Sequence, residues 1–405
     1  MLLPVAEVEK ILNRLRRAIP NQNRIWKKIT KERTGRTIFS SINLLSTSAA
    51  PATKSILFFG TDNFSLQTLK SLNKWISKLK APSSTSIEPI TEANPNVRLA
   101  VCTMQMKDLV QPVKVYAEKN NLKVYQWPPD PTVIRNEGFD IGIVASFGHL
   151  IPKKLITAFP QGMLNVHASL LPRWRGASPI AHAIMAGDSK TGISIMEIKP
   201  HHFDIGKVLA KESIDIGCDQ TNEELTIELA KIGGELMVRV LQDLDYYGAC
   251  SFSQNENEAT YAPCINKSFY NIDWNSCTSR EVYNQSRALS GSGKLYSTWE
   301  NTCVKVMFSN CLKPEYVDSF LYRLKDDDYK PGQVKYHKTK LKDNSGQISQ
   351  ENSKLQRFIC IRCKSGWIVF EKFYYGTNKA MSGVDFFNGY ISKNRTKQHF
   401  FVKRD

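Results

Sequence analysis

Two polar side chains that could take part in catalysis stand two residues apart at the end of a short apolar run. Asn165 and His167 follow Met163-Leu164, a run typical of a buried strand. Because successive side chains of a strand alternate between faces, this amide and this imidazole would project from the same side. Together they could donate hydrogen bonds to a developing oxyanion or move a proton. The alternative is a structural histidine beside a turn asparagine, which an Asn-x-His pattern alone does not exclude.

The elements around this pair predict an alternating α/β domain. The apolar runs Ile56-Leu57-Phe58-Phe59 and Ile141 to Ala145 are typical of buried parallel strands. Amphipathic stretches between such runs, for example Asn63 to Leu79, predict helices. An open parallel sheet binds ligands at the carboxyl ends of its strands, where the Asn-x-His pair would lie. Gly60 follows the first strand, but no full glycine-rich fingerprint with an acidic ribose partner follows, so NAD binding is the weaker interpretation.

The composition is that of a soluble, non-secreted protein with more than one domain. The chain has 405 residues, of which 41% are hydrophobic and 23% charged. It contains no apolar run of the ~20 residues needed to cross a bilayer and no secretory signal pattern. Its nine cysteines are scattered, which favours a reducing compartment. Cys360-x-x-Cys363 has the spacing of zinc ligands, but it lacks a second pair and lies in a strand-like alternation.

The net charge of +17 is unevenly distributed along the chain. Residues 1–54 carry +8, residues 55–249 carry none, and residues 250–405 carry +9. A neutral segment with a basic neighbour is typical of a small-molecule site joined to a domain that binds a polyanion. Basic solvated surfaces without such a function are also common, so the charge alone leaves both interpretations open.

The first 54 residues resemble a mitochondrial transit peptide. They are rich in arginine and lysine, later in serine and threonine, and apolar residues spaced by three and four would form one face of a helix. These residues are Val5, Val8, Leu12, Leu15 and Ile19. The alternative is a disordered basic arm, and the early glutamates Glu7 and Glu9 favour it.

The string after the Asn-x-His pair is far more specific. Ser169-Leu170-Leu171-Pro172 followed by Arg173-Trp174-Arg175-Gly176 resembles the signature of the 10-formyltetrahydrofolate transferases, and the Arg-Trp-Arg-Gly-Ala continuation resembles the methionyl-tRNA formyltransferases among them. The resemblance runs from Ser55 to about Gly389. It includes FFGTDNF at 58–64, PVKVYAE at 112–118, VASFGHLIP at 144–152, FDIG at 203–206, TYAPCINK at 260–267, IDW at 272–274 and KAMSGVDFFNGY at 379–390.

The resemblance implies an α/β architecture with two domains, a Rossmann-like N-terminal formyltransferase domain and a C-terminal open β-barrel domain of OB-like type. The expected boundaries are 1–54 for the transit peptide or basic tail, 55–244 for the catalytic domain, 245–260 for a linker and 261–405 for the tRNA-binding barrel. Within these, 81–96 and most of 314–355 are predicted to be insertions. Capping boxes at Thr221 with Glu224 and at Thr278 with Glu281 predict two helix starts.

The activity implied is transfer of the formyl group of 10-formyltetrahydrofolate to the α-amine of methionyl-tRNA, for translation initiation in the mitochondrial matrix. Asn165 and protonated His167 would stabilise the oxyanion, and Asp204, at the family's aspartate position, would orient the imidazole and help relay the proton. The adjacent His201 and His202 are interpreted as loop residues because neighbouring histidines rarely converge on one metal ion. We expect no metal, no membrane contact and a monomer.

The binding residues follow from the same resemblance. The folate co-substrate would contact Phe147, Gly148, Ser169, Leu170, Leu171 and Pro172, although Phe147 could equally be a core residue. Arg173 and Arg175 would contact methionyl-tRNA at its acceptor end. Two other classes remain open. A sister enzyme that uses the same folate, such as a glycinamide ribonucleotide formyltransferase or a formyl-folate hydrolase, would share Asn165, His167 and Asp204 without needing a tRNA-binding barrel. A non-catalytic tRNA-binding protein would be expected to lack one of the three.

Overall fold

The structure is a computed structural model that describes residues 55–80, 98–104, 111–299, 305–321, 328–339, 356–376, 379–392 and 398–403. The predicted transit peptide (1–54), the predicted insertion at 81–96 and much of the predicted insertion at 314–355 lie outside these residues. Contacts divide the chain into two compact units. The first contains the chain up to Pro179 with Thr191–Ile214 and Thr226–Ala262, and the second contains Ile180–Lys190, Asp215–Leu225 and Pro263–Asp405.

The first half of the described chain alternates strands and helices. In chain order it contains β1 (Ser55–Phe59), α1 (Asn63–Lys80), β2 (Arg98–Thr103), α2 (Pro112–Lys119), β3 (Lys123–Gln126), α3 (Pro131–Asn136), β4 (Ile141–Ala145), α4 (Lys153–Ile156), β5 (Met163–His167), α5 (Pro179–Met185), β6 (Lys190–Glu197), β7 (Val208–Asp215), α6 (Asn222–Gln242) and α7 (Leu244–Ala249). The strands form one sheet in the order β3-β2-β1-β4-β5-β6-β7.

The parallel part of this sheet agrees with the Rossmann-like domain that the sequence predicts. Strands β1 to β5 are parallel, and β6 joins β5 in the antiparallel direction. The strand order reverses between β1 and β4, so their carboxyl ends form the crevice where open α/β sheets bind ligands. Gly60 is required after β1 because a Cβ there would lie 2.7 Å from the ring of Phe58 and 2.7 Å from Ser65 Cβ. The first turn of α1 can therefore approach the strand closely.

The stretch 245–260, predicted to be a linker, is part of the first unit. It begins inside α7, which Asp243 caps through a hydrogen bond from the backbone N–H of Tyr246. Phe252 then forms an isolated bridge with Val208 at the start of β7. This stretch is polar and lacks an apolar face, which is why the sequence predicted a linker. Backbone hydrogen bonds hold it in place instead.

The second half of the chain is mostly antiparallel. It contains α8 (Ser279–Ala288), β8 (Leu295–Trp299), β9 (Lys305–Cys311), α9 (Pro314–Leu321), β10 (Val334–Thr339), β11 (Gln356–Arg362), β12 (Trp367–Tyr375), β13 (Met381–Ser382), α10 (Gly383–Phe386), a π-helical turn (Phe387–Ile391) and β14 (Phe401–Val402). The strands pair in the order β10-β11-β12-β9-β8-β14, with β13 beside β12. Short 3-10 helices at Glu256–Glu258 and Lys267–Tyr270 precede α8.

The two ends of this second sheet meet, which makes it a barrel. An antiparallel bridge joins Gln333, just before β10, to Phe400, just before β14. The barrel interior is aromatic, and Trp274, Phe308 and Phe373 are each at most 1% exposed. A parallel α/β domain with an antiparallel second domain confirms the predicted fold class.

Local predictions in these two halves had mixed outcomes. Both capping boxes are present, since the Thr221 and Thr278 hydroxyls each accept the backbone N–H of their glutamate. The predicted insertion at 314–355 begins with α9. Cys360 and Cys363 pack into different apolar clusters, and burial raises the pKa of both thiols, so this pair does not have the arrangement of a zinc site. In the described part of the chain, no helix is long and apolar enough to span a membrane.

Candidate active site

The carboxyl end of β5 places the Asn-x-His pair. Asn165 and His167 point to one face of the strand, while Val166 between them is buried on the other. Asn165 lies beside Val144 of β4, and His167 lies opposite Ser194 of β6. His167 is 5% exposed, so neighbouring residues cover most of its surface and a small part remains accessible.

Asp204 reaches this pair from the loop between β6 and β7. Strand β6 ends beside Leu164, so residues 198–207 must fold back along β5 to bring Asp204 to its carboxyl end. Asp204 Oδ1 lies 3.6 Å from His167 Nδ1 and accepts a 3.4 Å hydrogen bond from Asn165 Nδ2. The three residues predicted to be catalytic therefore converge on one carboxylate oxygen.

The other ring nitrogen of His167 is bonded to the backbone. Nε2 lies 2.9 Å from the carbonyl oxygen of Trp174. A carbonyl only accepts, so Nε2 carries a proton and Nδ1 is the nitrogen that faces Asp204. Trp174 presents this carbonyl with a φ of 63°, a left-handed conformation that is costly for a large side chain.

A short segment at the end of the first unit holds this conformation in place. The Trp174 backbone N–H donates to the Thr260 hydroxyl at 2.9 Å. Two residues later, Gly176 N–H donates to Asp204 Oδ2 at 2.9 Å. Gly176 has a φ of 121°, and a Cβ there would lie 2.6 Å from the carbonyl oxygen of Ala262, so only glycine fits.

The position of Arg175 corrects its predicted role as a tRNA contact. Its side chain is 2% exposed, and its guanidinium donates to both carboxylate oxygens of Glu256, at 2.8 and 2.9 Å. The hydrogen bonds from Glu256 raise the pKa of Arg175, although burial opposes this, and the same contact lowers the pKa of Glu256. A buried guanidinium with both ends of its fork occupied is not available to a phosphate.

Gln254 connects Arg175 to the Asp204 loop. Its Oε1 accepts from Arg175 Nε at 3.0 Å, and its Nε2 donates to the carbonyl oxygens of Asp204 and Gly206, both at 2.8 Å. Asp204 also has a positive φ, 55°, which this pair of hydrogen bonds helps to fix. Residues 254 to 260 therefore support the site, although no sequence pattern marked them for that role.

The predicted folate-binding residues fall into two groups. Phe147 is a core residue, 4% exposed, and packs edge-to-face against Phe59 and Trp127, so the alternative interpretation of Phe147 fits the structure better. Gly148 next to it is exposed with a φ of 73°, and open space lies where a side chain would be. The backbone at Gly148 is therefore accessible, as are Ser146, His149 and Leu150 of the same exit loop.

The Ser-Leu-Leu-Pro segment follows β5, and a buried serine of β6 forms hydrogen bonds with its backbone. Ser194 Oγ donates to the Ser169 carbonyl at 2.7 Å and accepts from Leu171 N–H at 3.0 Å. Ser169 and Leu171 are fully buried, whereas Leu170 and Pro172 keep part of their surface. Leu170 and Pro172 are thus the side chains of this segment that a ligand can touch.

The remaining predicted residues lie at the surface. Arg173 is exposed, and its guanidinium lies 4.4 Å from the ring centroid of Trp174. His201 and His202 are exposed loop residues, and the described residues contain no group of three or more His, Cys, Asp or Glu side chains arranged to hold a metal. A cavity of about 310 Å³ lies at the opposite end of β5, lined in part by Gly162, Glu197 and Leu244, and includes none of the predicted site residues.

Sequence comparisons identify the family of this chain. Residues 99–241 match the formyl transferase family, and residues 264–391 match the C-terminal domain of formyl transferases. The human mitochondrial methionyl-tRNA formyltransferase is 32% identical over 342 residues, which are 83% of this chain and 77% of the human protein. The methionyl-tRNA formyltransferase of Nitratidesulfovibrio vulgaris strain DP4 is 33% identical over 254 residues, 62% of this chain and 73% of the bacterial one.

A solved structure shares the fold. The N-formyltransferase from Helicobacter canadensis, in complex with folinic acid and dTDP-3-aminofucose, superposes with a TM-score of 0.50 at 16% identity, covering 80% of this chain and 100% of the other. Sequence identity that extends through both halves of the chain is the stronger evidence, and by it this chain belongs to the methionyl-tRNA formyltransferase family.

Proposed function

We propose that this protein transfers the formyl group of 10-formyltetrahydrofolate to the α-amine of methionyl-tRNA. The observation that carries the proposal is the convergence of Asn165, His167 and Asp204 at the carboxyl end of β5. This is an arrangement of two donors and one carboxylate in a partly buried crevice. It suits acyl transfer through an oxyanion and needs no covalent nucleophile.

Asn165 and His167 supply the stabilisation of charge. When the amine attacks the formyl carbon, the carbonyl electron pair moves onto the formyl oxygen. An N–H of the Asn165 amide donates to that oxygen. The His167 imidazolium, on the same face of β5, stabilises it through its positive charge, because Nε2 is bonded to the Trp174 carbonyl and Nδ1 faces Asp204. Preorganised donors of this kind each contribute about 3–4 kcal/mol to stabilisation of the transition state.

Asp204 and the backbone carbonyl of Trp174 determine which ring nitrogen of His167 exchanges a proton in the reaction. The attacking amine must lose a proton, and the departing nitrogen of the folate must gain one. Nε2 of His167 is occupied by the Trp174 carbonyl, so Nδ1, which faces Asp204, is the atom that exchanges the proton. The Asp204 carboxylate keeps the ring in this orientation and balances its positive charge.

The folate is proposed to bind along the exit loop of β4 and the Ser-Leu-Leu-Pro segment. Gly148, Leu170 and Pro172 offer accessible surface there, while Ser169 and Leu171 hold the segment from within. Both segments follow carboxyl ends of neighbouring parallel strands. That position is the usual ligand crevice of an open α/β sheet.

The proposed tRNA-binding surface includes a set of lysines and tyrosines of the barrel, which we call the basic face. Tyr296 and Tyr374 flank the same residue of β9 and so lie on one side of the sheet. Lys305 Nζ lies 3.5 Å from the ring centroid of Tyr296, and Lys294 Nζ lies 4.8 Å from that of Tyr374. Burial, and the nearby charge of Lys267, lower the pKa of Lys305. Clustered like charges of this kind favour a polyanionic partner.

The protein is further proposed to act in the mitochondrial matrix and as a monomer. The human and mouse relatives are mitochondrial, and residues 1–54 carry +8, so we place the activity in the mitochondrial matrix. The acceptor end of the tRNA would reach the site near exposed Arg173, and one copy of the chain contains all three proposed catalytic residues. A monomer without metal is therefore sufficient for the proposed reaction.

One assay tests the proposal against its alternatives. Purified protein is given 10-formyltetrahydrofolate with charged initiator tRNA, with glycinamide ribonucleotide, or with no acceptor. Formyl transfer to methionyl-tRNA that falls at least about 100-fold in Asp204→Asn supports the proposal. Preferred transfer to the ribonucleotide or release of formate would assign the chain to a sister reaction, and tRNA binding without turnover would leave only a binding protein.

A further inference from the structure

Three side chains link the end of the first unit to the Asp204 loop. Glu256 binds Arg175 through two hydrogen bonds, Arg175 Nε donates to Gln254, and Gln254 donates to two backbone carbonyls of the loop. The five distances lie between 2.8 and 3.0 Å. The result is a continuous chain of hydrogen bonds from an exposed carboxylate to the backbone of a catalytic residue.

The direction of each hydrogen bond in this chain is fixed. A guanidinium only donates, so the Gln254 atom facing Arg175 must be the carbonyl oxygen, and the amide NH₂ must face Asp204 and Gly206. Arg175 in turn is buried and needs a carboxylate to balance its charge, which Glu256 provides. No member can rotate without leaving a polar group of another unpaired.

The Asp204 loop needs such support because its own neighbours do not pack. Phe203 is 61% exposed and Ile205 is 37% exposed, so the residues on either side of Asp204 bury little apolar surface. Asp204 nevertheless has a left-handed backbone and lies within 3.6 Å of His167. Gly176, adjacent to Arg175, holds the carboxylate while Gln254 holds the carbonyl of the same residue.

We infer that Arg175 and Gln254 are positioning residues for formyl transfer, which set the Asp204 carboxylate against His167 without touching substrate. The inference rests on the proposed function. Misplacing a catalytic group by about 1 Å can lower a rate by about 100-fold. Loss of this support should therefore reduce kcat and leave the binding of both substrates nearly unchanged.

The test uses Gln254→Met in the full-length protein, which keeps the side-chain length and removes the hydrogen bonds. Gln242→Met, at an exposed glutamine of α6, is the matched control. We expect kcat to fall about 10- to 100-fold for Gln254→Met, with KM for folate and tRNA within about 3-fold of wild type. Gln254→Glu retains the acceptor for Arg175 and loses the donor, so it should show the same loss even where the methionine variant folds poorly.

A second measurement separates positioning from general destabilisation. In an Asp204→Asn background, adding Gln254→Met should change the single-turnover rate, measured with enzyme in excess, by less than about 3-fold, because residues that act through one group are not additive. A Gln254→Met kcat equal to that of Gln242→Met, or a loss of the same factor in both backgrounds, overturns the inference and leaves the proposed function intact. Wild-type protein that transfers no formyl group overturns both.

Discussion

Nε2 of His167 lies 2.9 Å from the carbonyl oxygen of Trp174, and this contact leaves Nδ1 as the ring nitrogen that faces Asp204. Trp174 presents this carbonyl with a positive φ, and the Thr260 hydroxyl supports that conformation by accepting a hydrogen bond from the Trp174 N–H. A left-handed tryptophan costs about 1–3 kcal/mol and persists only where surrounding contacts determine it. The strain at Trp174 is therefore part of what sets the His167 tautomer.

The first prediction concerns the charge of Asp204. Asp204→Asn can still accept the Gly176 N–H, so the loop should stay in place while the charge beside His167 is lost. We expect kcat for formyl transfer to fall at least about 100-fold, and His167→Ala to fall by a similar factor, with folate affinity nearly unchanged. Steady-state kinetics with folate binding in parallel measures both, and near-normal turnover of either variant would refute the assigned roles.

The second prediction concerns the Thr260 hydroxyl. Thr260→Val keeps the shape of the side chain and leaves the Trp174 N–H without its acceptor, which should cost about 1–3 kcal/mol of unfolding free energy. Since the Trp174 carbonyl should then shift relative to His167, kcat should also fall about 10-fold. Thr260→Ser keeps the hydroxyl and is the control. Equal activity of the valine and serine variants would show that this contact has no catalytic effect.

The third prediction compares two buried serines that each donate one hydrogen bond and accept another. Ser194 holds the Ser-Leu-Leu-Pro segment, whereas Ser297 in the barrel donates to the Val402 carbonyl and accepts from Trp274 Nε1. Alanine at either position should lower the unfolding free energy by about 2–3 kcal/mol. Only Ser194→Ala should weaken folate binding, by about 10-fold. Weaker folate binding by Ser297→Ala as well would point to a global effect instead of a local one.

The fold could be predicted from the sequence more fully than the hydrogen bonds that position the site residues. Strand periodicity and the Asn-x-His pattern predicted β5 and the shared face of Asn165 and His167, because both depend on local spacing, whereas Asp204 was assigned only through the family resemblance. Gln254 and Thr260 act through individual hydrogen bonds to residues 48 to 86 positions earlier, and such contacts leave no periodic signal in a sequence. A truncation at Tyr247, placed in the predicted linker 245–260 to separate the two domains, would remove the hydrogen bonds of Gln254 and Thr260 as well as the barrel. For that reason the domains are best tested by point substitutions in the full chain.

The fourth prediction concerns pH and the second unit. Burial lowers the pKa of His182 below its ordinary value of 6.5, and its Nε2 lies 3.0 Å from the Pro263 carbonyl. Below pH 6.5 the unfolded chain therefore binds more protons than the folded one, so stability should fall as the pH drops from 6.5 toward the lower folded pKa. Urea unfolding at pH 5.5 and 7.5 should show a smaller pH effect in His182→Gln. His337 is shifted in the same direction, so part of the effect remains. An unchanged pH effect would exclude His182 as its source.

The last prediction concerns the basic face and the tRNA. Lys267, Lys294 and Lys305 are exposed beside two tyrosines of the barrel, and each one that contacts a phosphate releases condensed counterions on binding. Changing all three to glutamine should lower the magnitude of the slope of log affinity against log salt by up to about 2–3, and weaken tRNA binding at physiological salt.

The matched control removes the same charge from the first unit, at the exposed lysines Lys70, Lys74 and Lys78 of α1. Filter binding of tRNA from 50 to 300 mM salt, with folate binding measured on each variant, separates a local contact from a general charge effect. We expect the slope to change only for the basic face, because counterion release depends on lysines at the interface and not on net charge at a distance beyond the Debye length of about 8–10 Å. Equal slopes for the two triple variants would show that the tRNA does not lie on this side of the barrel.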